Sequence, residues 1–598
     1  MAHPYLQTPY RIEVANRLLF LPELVATVAA FAIPVIEYGF EPDAVVPSAW
    51  FTPATLIALG VLLLRLPAIY LGSSTLQSGF SRCTMESWWA LISLIACIVS
   101  FVTPWSFESA SRLAVLGFAV LRVVSTLRAA QRLIAAPMIV FAGAYLTLIF
   151  TGAGLLLLPR ATQPGVVIGF VDALFMSASA TCVTGLSLYD IGVQFTTFGQ
   201  LIILALIQIG GMGIMTFAAF LSIAFGAGMS VRDRVTMGEV LNIEVIGKVG
   251  RLIFWIFGLT LVSEALGAAF LYGNWVDNAG NALAEADQLY YSIFHSISAF
   301  CNAGFGLHGD SLVRYSGQWP VLFPIAALIV IGGIGFTVII DILRYKPWHL
   351  PAARRLPLVG KSIRRHPLPR LSLQTKLVLL TTFLLIVVGS VSFWLLERNN
   401  TSSLGTLDAS AQVIDSLFQG GVTPRTAGFN SLDYSAMETP AQFFTMVLMA
   451  IGGSPGSAAG GIKTTVFAVL VLVLWQTFRG RPVEMFKRRV ADHQVRHVLV
   501  VVVTALIVIN SAVFLLTCTE DKILAMERGF EVLTFEVVSA FGTVGLSLGA
   551  TANLSDTGKV VITVCMFLGR IGPLALVFGI AARRQAKFDY PTESIMLG

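Results

Sequence analysis

The sequence predicts an all-α polytopic membrane protein: four pseudo-repeated helix–pore-loop–helix units around a central pore, preceded by about four extra N-terminal transmembrane helices. Three observations predict it. The first is composition. Of 598 residues 56% are hydrophobic and 12% charged, with a mean hydropathy of +0.80, whereas a soluble chain carries about 25% charged residues. The second is the recurrence of apolar runs of about 20 residues, the length of a bilayer-spanning helix. The third is a segment that returns four times around a glycine, and internal repeats of this kind define architecture. Alternation with period two is absent, so the spans are helices and not barrel strands.

In chain order, residues 1–130 stand outside the repeat. They hold candidate spans near 18–36, 53–70, 88–102 and 113–124. The opening MAHPYLQTPYR lacks a compact apolar stretch with a cleavage site, so no cleavable signal peptide is expected. Arg112, Arg122, Arg128 and Arg132 lie in or beside the fourth span. A voltage-sensor helix is one reading, although the every-third-residue spacing is missing. A peripheral scaffold or dimer-contact bundle is the other.

Further spans follow at 138–158, 201–225, 252–271, 321–342, 377–396, 443–451 with 466–475, 498–516 and 560–580. They divide the chain into units 131–247, 248–370, 371–497 and 498–598. The connections are basic: Arg232 to Arg234 with Lys248 and Arg251, then 344–376, 479–496 and 583–587. This is the positive-inside pattern, and it places these loops and the N-terminus in the cytoplasm. It also accounts for the net charge of +6, which therefore implies a bilayer and no nucleic acid. The stretch 346–370 either only sets topology or also meets an acidic regulatory face or anionic lipid. His349, His366, His493 and His497 fall in these loops and carry no ligand role. The six cysteines show no CxxC spacing, so neither a metal nor a disulfide is expected.

The repeated segments are DALFMSASATCVTGLS, YSIFHSISAFCNAGFG, DSLFQGGVTPRTAGFN and FEVLTFEVVSAFGTVGLS, centred on Gly185, Gly304, Gly428 and Gly545. Ten residues before each glycine stands Phe175, Phe294, Phe418 or Phe535. Six before it, three segments have serine: Ser179, Ser298 and Ser539. Each following helix carries a glycine-rich break, at 210–213, 332–335, 452–455 and 569–572.

The helices before the glycines are too short to span and suit pore helices, whose C-terminal ends bring the negative end of the helix dipole toward an axis. The next residues are Cys182, Val183, Thr184 and Gly185; Cys301, Asn302, Ala303 and Gly304; Arg425, Thr426, Ala427 and Gly428; and Gly542, Thr543, Val544 and Gly545. Extended strands of this kind turn backbone carbonyls inward, and four of them form an oxygen ring that replaces the hydration shell of a cation. Helix packing is the alternative role for the glycines, but it does not account for the short polar run before each. No ring of Asp or Glu is present in these loops.

These segments resemble the Trk/Ktr/HKT superfamily of potassium transporters over about residues 131–587. The most specific stretches are TCVTGLS (181–187), FCNAGFG (300–306), TPRTAGFN (423–430), FGTVGLS (541–547) and IGGSPGSAAGGIKTT (451–465). The resemblance implies potassium as the transported ion, because all four key positions are glycine where sodium-selecting plant relatives have serine in the first. It implies sodium, if involved at all, as a modulator or coupling ion, and no cofactor. It further implies a homodimer, a cytosolic nucleotide-binding regulatory ring and a bacterial inner membrane as the location.

The third unit departs from the others. After Gly452 and Gly453 it inserts Ser454, Pro455, Gly456, Ser457, two alanines, Gly460 and Gly461 before Lys463, a run too rich in turn formers for a helix. The resemblance makes 452–461 an intramembrane gating loop. Arg570 occupies the slot held elsewhere by Gly211, Gly333 and Gly453. Facing lipid it would cost at least ~2.5–3.5 kcal/mol, so it is expected to face the pore and bond the loop carbonyls. Lys463 either lines the cavity or marks the inner half of its helix. A coupled symporter needs a second ion site, for which Glu264 and Asp341 are the candidates. No HExxH or Walker motif appears, so no enzyme is expected.

Overall fold

The computed structural model describes residues 137–213, 216–217, 249–277, 280–345, 371–486 and 488–572, with isolated positions at 32, 37, 39, 40 and 57. The four spans expected within 1–130, their arginines, and the basic stretches 232–248, 346–370 and 583–587 lie outside the described residues. The described chain is helical apart from loops and one small antiparallel hairpin, Glu484–Met485 with Arg488–Arg489.

Helix α1 (Pro137–Leu156) leads to the short α2 (Phe170–Cys182), a glycine loop and α3 (Thr197–Met212). Then come α4 (Val249–Leu271), α5 (Glu285–Phe300), α6 (Trp319–Ile334) and α7 (Phe336–Tyr345). Next are α8 (Leu373–Glu397), α9 (Ala409–Asp415), α10 (Thr439–Met449) and α11 (Thr464–Phe478). Last are α12 (Asp492–Thr519), α13 (Gly529–Gly542) and α14 (Asp556–Ile571). Among the described residues, Ile253–Leu271, Leu373–Glu397 and Asp492–Thr519 are long and apolar enough to cross a membrane, and the bent pair α6–α7 adds a fourth. Phe254, Leu261 and Phe270 on α4, Phe383 on α8 and Ile507 and Phe514 on α12 are exposed, as side chains facing lipid must be.

Local signals set the helix ends. Thr196, Ser372 and Ser555 cap α3, α8 and α14, each accepting from a backbone N–H three residues on, which satisfies an otherwise orphaned donor. Proline opens α6 and α10, where its missing N–H costs nothing. The span expected at 321–342 is not one helix. It bends by 95° between α6 and α7 at Gly335, whose φ of +96° is a conformation glycine adopts freely. Gly213 and Gly572 end α3 and α14 in the same left-handed region. His493 and His497, expected in a loop, lie on the first turns of α12.

The short helices form the centre. Phe175, Phe294, Phe418 and Phe535 are all fully buried. The first, second and fourth short elements pack against both flanking helices of their own segments, and the continuation of α9 packs against α8; each also meets the outer helix of another segment: α5 on α3, the continuation of α9 on α6, α13 on α10, and α2 on α14. The last contact joins the end of the described chain to its beginning. The continuation of α9 is a π-helix, Ser416–Val422, not the α-helix of the other three. Gly420 and Gly421 there sit directly against Gly389, Ser390 and Phe393 of α8. That close approach is open only to residues without a side chain, and it widens the turn locally.

Candidate functional site

The four short helices end in one backbone device at three of the four places. In the first, Val183 N donates to the Ala180 carbonyl (3.2 Å) and Thr184 N to the Ser179 carbonyl (2.8 Å). Asn302 and Ala303 repeat the pair at 3.1 and 2.8 Å, as do Thr543 and Val544. This is a Schellman-type cap, but its left-handed residue is Val183 (φ +59°), Asn302 (+61°) or Thr543 (+50°), not glycine. At the π-helix, Thr426 has φ +72° although the bonding differs: Arg425 N reaches the Val422 carbonyl (3.2 Å) and Ala427 N the Thr423 carbonyl (3.1 Å).

β-Branched residues at positive φ cost about 1–3 kcal/mol each and persist where surrounding structure imposes them. The backbone is therefore not the plain extended strand expected. Cys182 and Gly542 are the last residues of their helices and Cys301 is the cap of α5, whereas Arg425 already lies in the turn that follows the π-helix. Helix dipoles and a tight cap draw the chain into this path before it extends.

The glycines close a ring. A Cβ on Gly185 would meet the Ala303 carbonyl, one on Gly304 the Ala427 carbonyl, one on Gly428 the Val544 carbonyl, and one on Gly545 the Thr184 carbonyl. All four glycines have φ between +71° and +94°, so a side chain is excluded by conformation and by space. Ser179 and Ser539 accept from Gly185 N (3.2 Å) and Gly545 N (3.1 Å). The hydroxyls of Thr181, Thr184 and Thr543 are buried and without a partner among the described residues. Arg425 is buried, with its Nε unpartnered there.

Directly below lies the irregular loop between α10 and α11. Gly460 abuts the Thr543 side chain. The loop closes on itself through Gly452 N to the Ile462 carbonyl (2.8 Å) and Thr464 N to the Gly453 carbonyl (2.9 Å). It docks on the α6–α7 bend: Ser454 N on the Gly333 carbonyl (3.0 Å), Ala458 N on Gly332 (3.3 Å), and Phe336 N on the Gly456 carbonyl (3.1 Å). The Ser454 hydroxyl donates to the Ile334 carbonyl, and that of Ser457 to the Ser454 carbonyl (2.6 Å). Gly461 takes φ +64°, and Lys463 Nζ donates to the Ala459 carbonyl (2.6 Å).

Arg570, half-buried on α14, donates to the carbonyls of Ala458 in this loop and Gly210 on α3. Its Nε is 3.4 Å from the Tyr145 hydroxyl, which itself reaches the Gly210 carbonyl (3.5 Å). One guanidinium thus ties the loop to the first and last segments. Tyr145 was invisible in the sequence, since nothing near 145 marks it among apolar neighbours. Residues 452–456 also spell GxSxG. Ser454 sits on an irregular loop and not on a strand-to-helix turn, so the pattern is no nucleophile elbow.

Of the two acidic candidates, Asp341 is engaged: its carboxylate accepts from Ser372 N (3.0 Å) and Thr375 Oγ1 (2.6 Å) at the start of α8. Glu264 is 6% exposed on α4. One of its oxygens accepts from Gln208 Nε2 (3.2 Å) and the other has no partner among the described residues.

Residues 131–588 match a family model described as TrkH, cation transport protein. The Ktr system potassium uptake protein B of Vibrio alginolyticus is 38% identical over 457 residues, covering 76% of this chain and 93% of that protein. The potassium/sodium uptake protein NtpJ of Enterococcus hirae is 36% identical, covering 77% of this chain and 97% of that one. The crystal structure of the potassium transporter TrkH from Vibrio parahaemolyticus superposes with a TM-score of 0.57 at 18% identity, over 87% of this chain and 98% of that one.

Proposed function

This chain belongs to the TrkH family of cation transport proteins, a family of transporters and not of enzymes, and from that premise we propose that it takes up potassium across the bacterial inner membrane. The four glycine loops act as its selectivity filter, contributed by the units 131–247, 248–370, 371–497 and 498–598. The carrying observation is the closed ring in which each glycine abuts the loop of another segment. Strained turns fix the carbonyls of the residues ending in Gly185, Gly304, Gly428 and Gly545, and rings of backbone carbonyls that replace an ion's hydration shell are what build a cation filter. The buried hydroxyls of Thr184 and Thr543, without a partner among the described residues, offer further oxygen in two of the four loops.

The loop 452–461 is the gate in this reading. It lies under the filter, and its hold on the α6–α7 bend and on Arg570 is made of a few hydrogen bonds that an activating signal can exchange. A cytosolic nucleotide-binding ring and a second copy of the chain complete the proposal. Its support is that the Vibrio alginolyticus relative is named as one component of a Ktr system.

Proteoliposomes with potassium, sodium and pH gradients varied separately test the proposal. Potassium flux indifferent to the sodium and proton gradients is expected. Sodium passing as readily as potassium would overturn the filter. The oxygen of buried Glu264 that has no partner among the described residues favours one second reading, potassium symport with sodium or protons, in which flux would follow the second gradient and fail in Glu264→Gln.

A further inference from the structure

The residue nine positions before each filter glycine is Met176, His295, Gln419 or Glu536. All four are fully buried, and all four reach past the glycine to the chain just beyond it. Met176 Sδ accepts from Leu188 N (3.4 Å). His295 Nε2 accepts from Leu307 N (3.3 Å). Gln419 Oε1 accepts from Ser431 N (2.9 Å), and its Nε2 donates to the Leu432 carbonyl (3.2 Å). Glu536 accepts from the Ser547 hydroxyl (2.7 Å) and from the Thr551 hydroxyl. In three cases the partner is the backbone N–H three residues after the glycine. In the fourth it is a side chain two residues after it.

The histidine geometry fixes its own chemistry. His295 Nδ1 lies 2.8 Å from the Tyr291 carbonyl. A carbonyl only accepts, so Nδ1 carries the proton and Nε2 is left as the acceptor that Leu307 N needs.

We propose that these four side chains are positioning residues of the filter, struts that hold the outer end of each loop against its pore helix. The struts are unequal. A thioether is a weak acceptor, a neutral imidazole or amide a moderate one, and a carboxylate bonded to two hydroxyls the strongest. Of the two loops whose glycine N–H is also held by a serine, the one ending in Gly185 therefore has the weaker strut and the one ending in Gly545 the stronger, so that the filter has a more compliant and a stiffer side. Carbonyl spacing, and the number of carbonyls presented to the ion, set the discrimination between potassium and sodium, and the stiff struts carry more of the part that comes from spacing.

The inference rests on the filter reading, and the test separates the two. Gln419→Met and Glu536→Met install the first segment's strut, nearly conserving volume while removing the strong acceptor. In proteoliposomes each is expected to lower the potassium-over-sodium flux ratio by about tenfold, the usual scale for one buried hydrogen bond to a polar or charged group. Glu536→Gln keeps an acceptor and is expected to recover most of that loss. A residue needed only for packing would leave the ratio unchanged in folded Met variants, and that result overturns the strut. Should those variants fail to fold, Ser547→Ala and Thr551→Val remove the partners of Glu536 from the loop side. An unchanged ratio in that pair overturns the strut equally. A wild-type protein without potassium preference would instead overturn the filter reading itself.

Discussion

Gly545 faces Gly185 so closely that a Cβ on Gly545 would lie 2.9 Å from the Gly185 Cα. The contact joins residues 360 positions apart in sequence, and with it the fourth glycine loop closes on the first. Gly545 also holds φ +92°. Serine there meets two independent penalties, a left-handed backbone of about 1–3 kcal/mol and a clash with backbone atoms that have no room to yield. Gly545→Ser is expected to reduce potassium-over-sodium selectivity by at least about tenfold. Flux ratios in proteoliposomes equal to wild type would show that the ring does not select.

Arg570 predicts a gain of flux on removal. Its guanidinium satisfies two backbone carbonyls, Ala458 of the loop and Gly210 of α3, and charge-assisted bonds of this kind hold about 1.5–3 kcal/mol each. Arg570→Ala frees the loop from both segments and is expected to raise potassium flux by about tenfold or more. Arg570→Lys, which cannot bridge two carbonyls as a planar fork does, is expected to lie between. An unchanged rate in the alanine variant counts against the loop as a gate.

Much of this site was legible because the chain states it four times. One alignment on Gly185, Gly304, Gly428 and Gly545 located the loops, and the same offset brings out Met176, His295, Gln419 and Glu536. Those four escaped notice because their residue types differ while their reach does not, and a pattern read by residue identity cannot register that. The glycine-rich break at 332–335 marked where α6 ends but not the 95° bend there, since hydropathy reports burial in lipid and not helix direction. The π-helix at Ser416–Val422 was likewise concealed: Gly420 and Gly421 mark flexibility, but only their contact with Gly389 and Phe393 decides the turn.

His308 makes stability depend on acidity. It lies in the loop outside the spans, its Nε2 3.1 Å from the Tyr315 hydroxyl, among the rings of Trp275, Tyr291 and His295. Burial, helped by the Arg314 guanidinium and opposed by Asp310, pushes its imidazole down from 6.5 to about 4. The unfolded chain therefore binds this proton at higher pH than the folded one. Stability is lost as pH falls from about 6.5 toward 4. His308→Gln cannot titrate, so its thermal stability relative to wild type should rise as pH falls across that window. Parallel melting curves for the two proteins between pH 4 and 7 would remove His308 as the cause.

The ring has a second clasp on its outer side. Lys559 at the start of α14 donates to Asp172 at the start of α2 (2.7 Å), and the Tyr189 hydroxyl donates to the other oxygen of the same carboxylate (2.7 Å). The side chains of Lys559 and Asp172 are 15% and 17% exposed, so this pair is neither a screened surface contact nor a fully desolvated one. Exposed pairs contribute about 0–1 kcal/mol, and removing one partner of a buried pair costs about 3–5 kcal/mol. Lys559→Met leaves the Asp172 carboxylate without its cation, and a loss of about 1–2 kcal/mol lies between those limits. Asp172→Asn keeps the hydrogen bond to Tyr189 and should cost less. The double variant has no stranded carboxylate, so its loss should fall short of the two single losses added together. Thermal unfolding of all four proteins in one detergent measures that coupling. Strict additivity would mean that α2 and α14 are held together by the contact of Gly545 with Gly185 and the packing around it, and not by this charge pair.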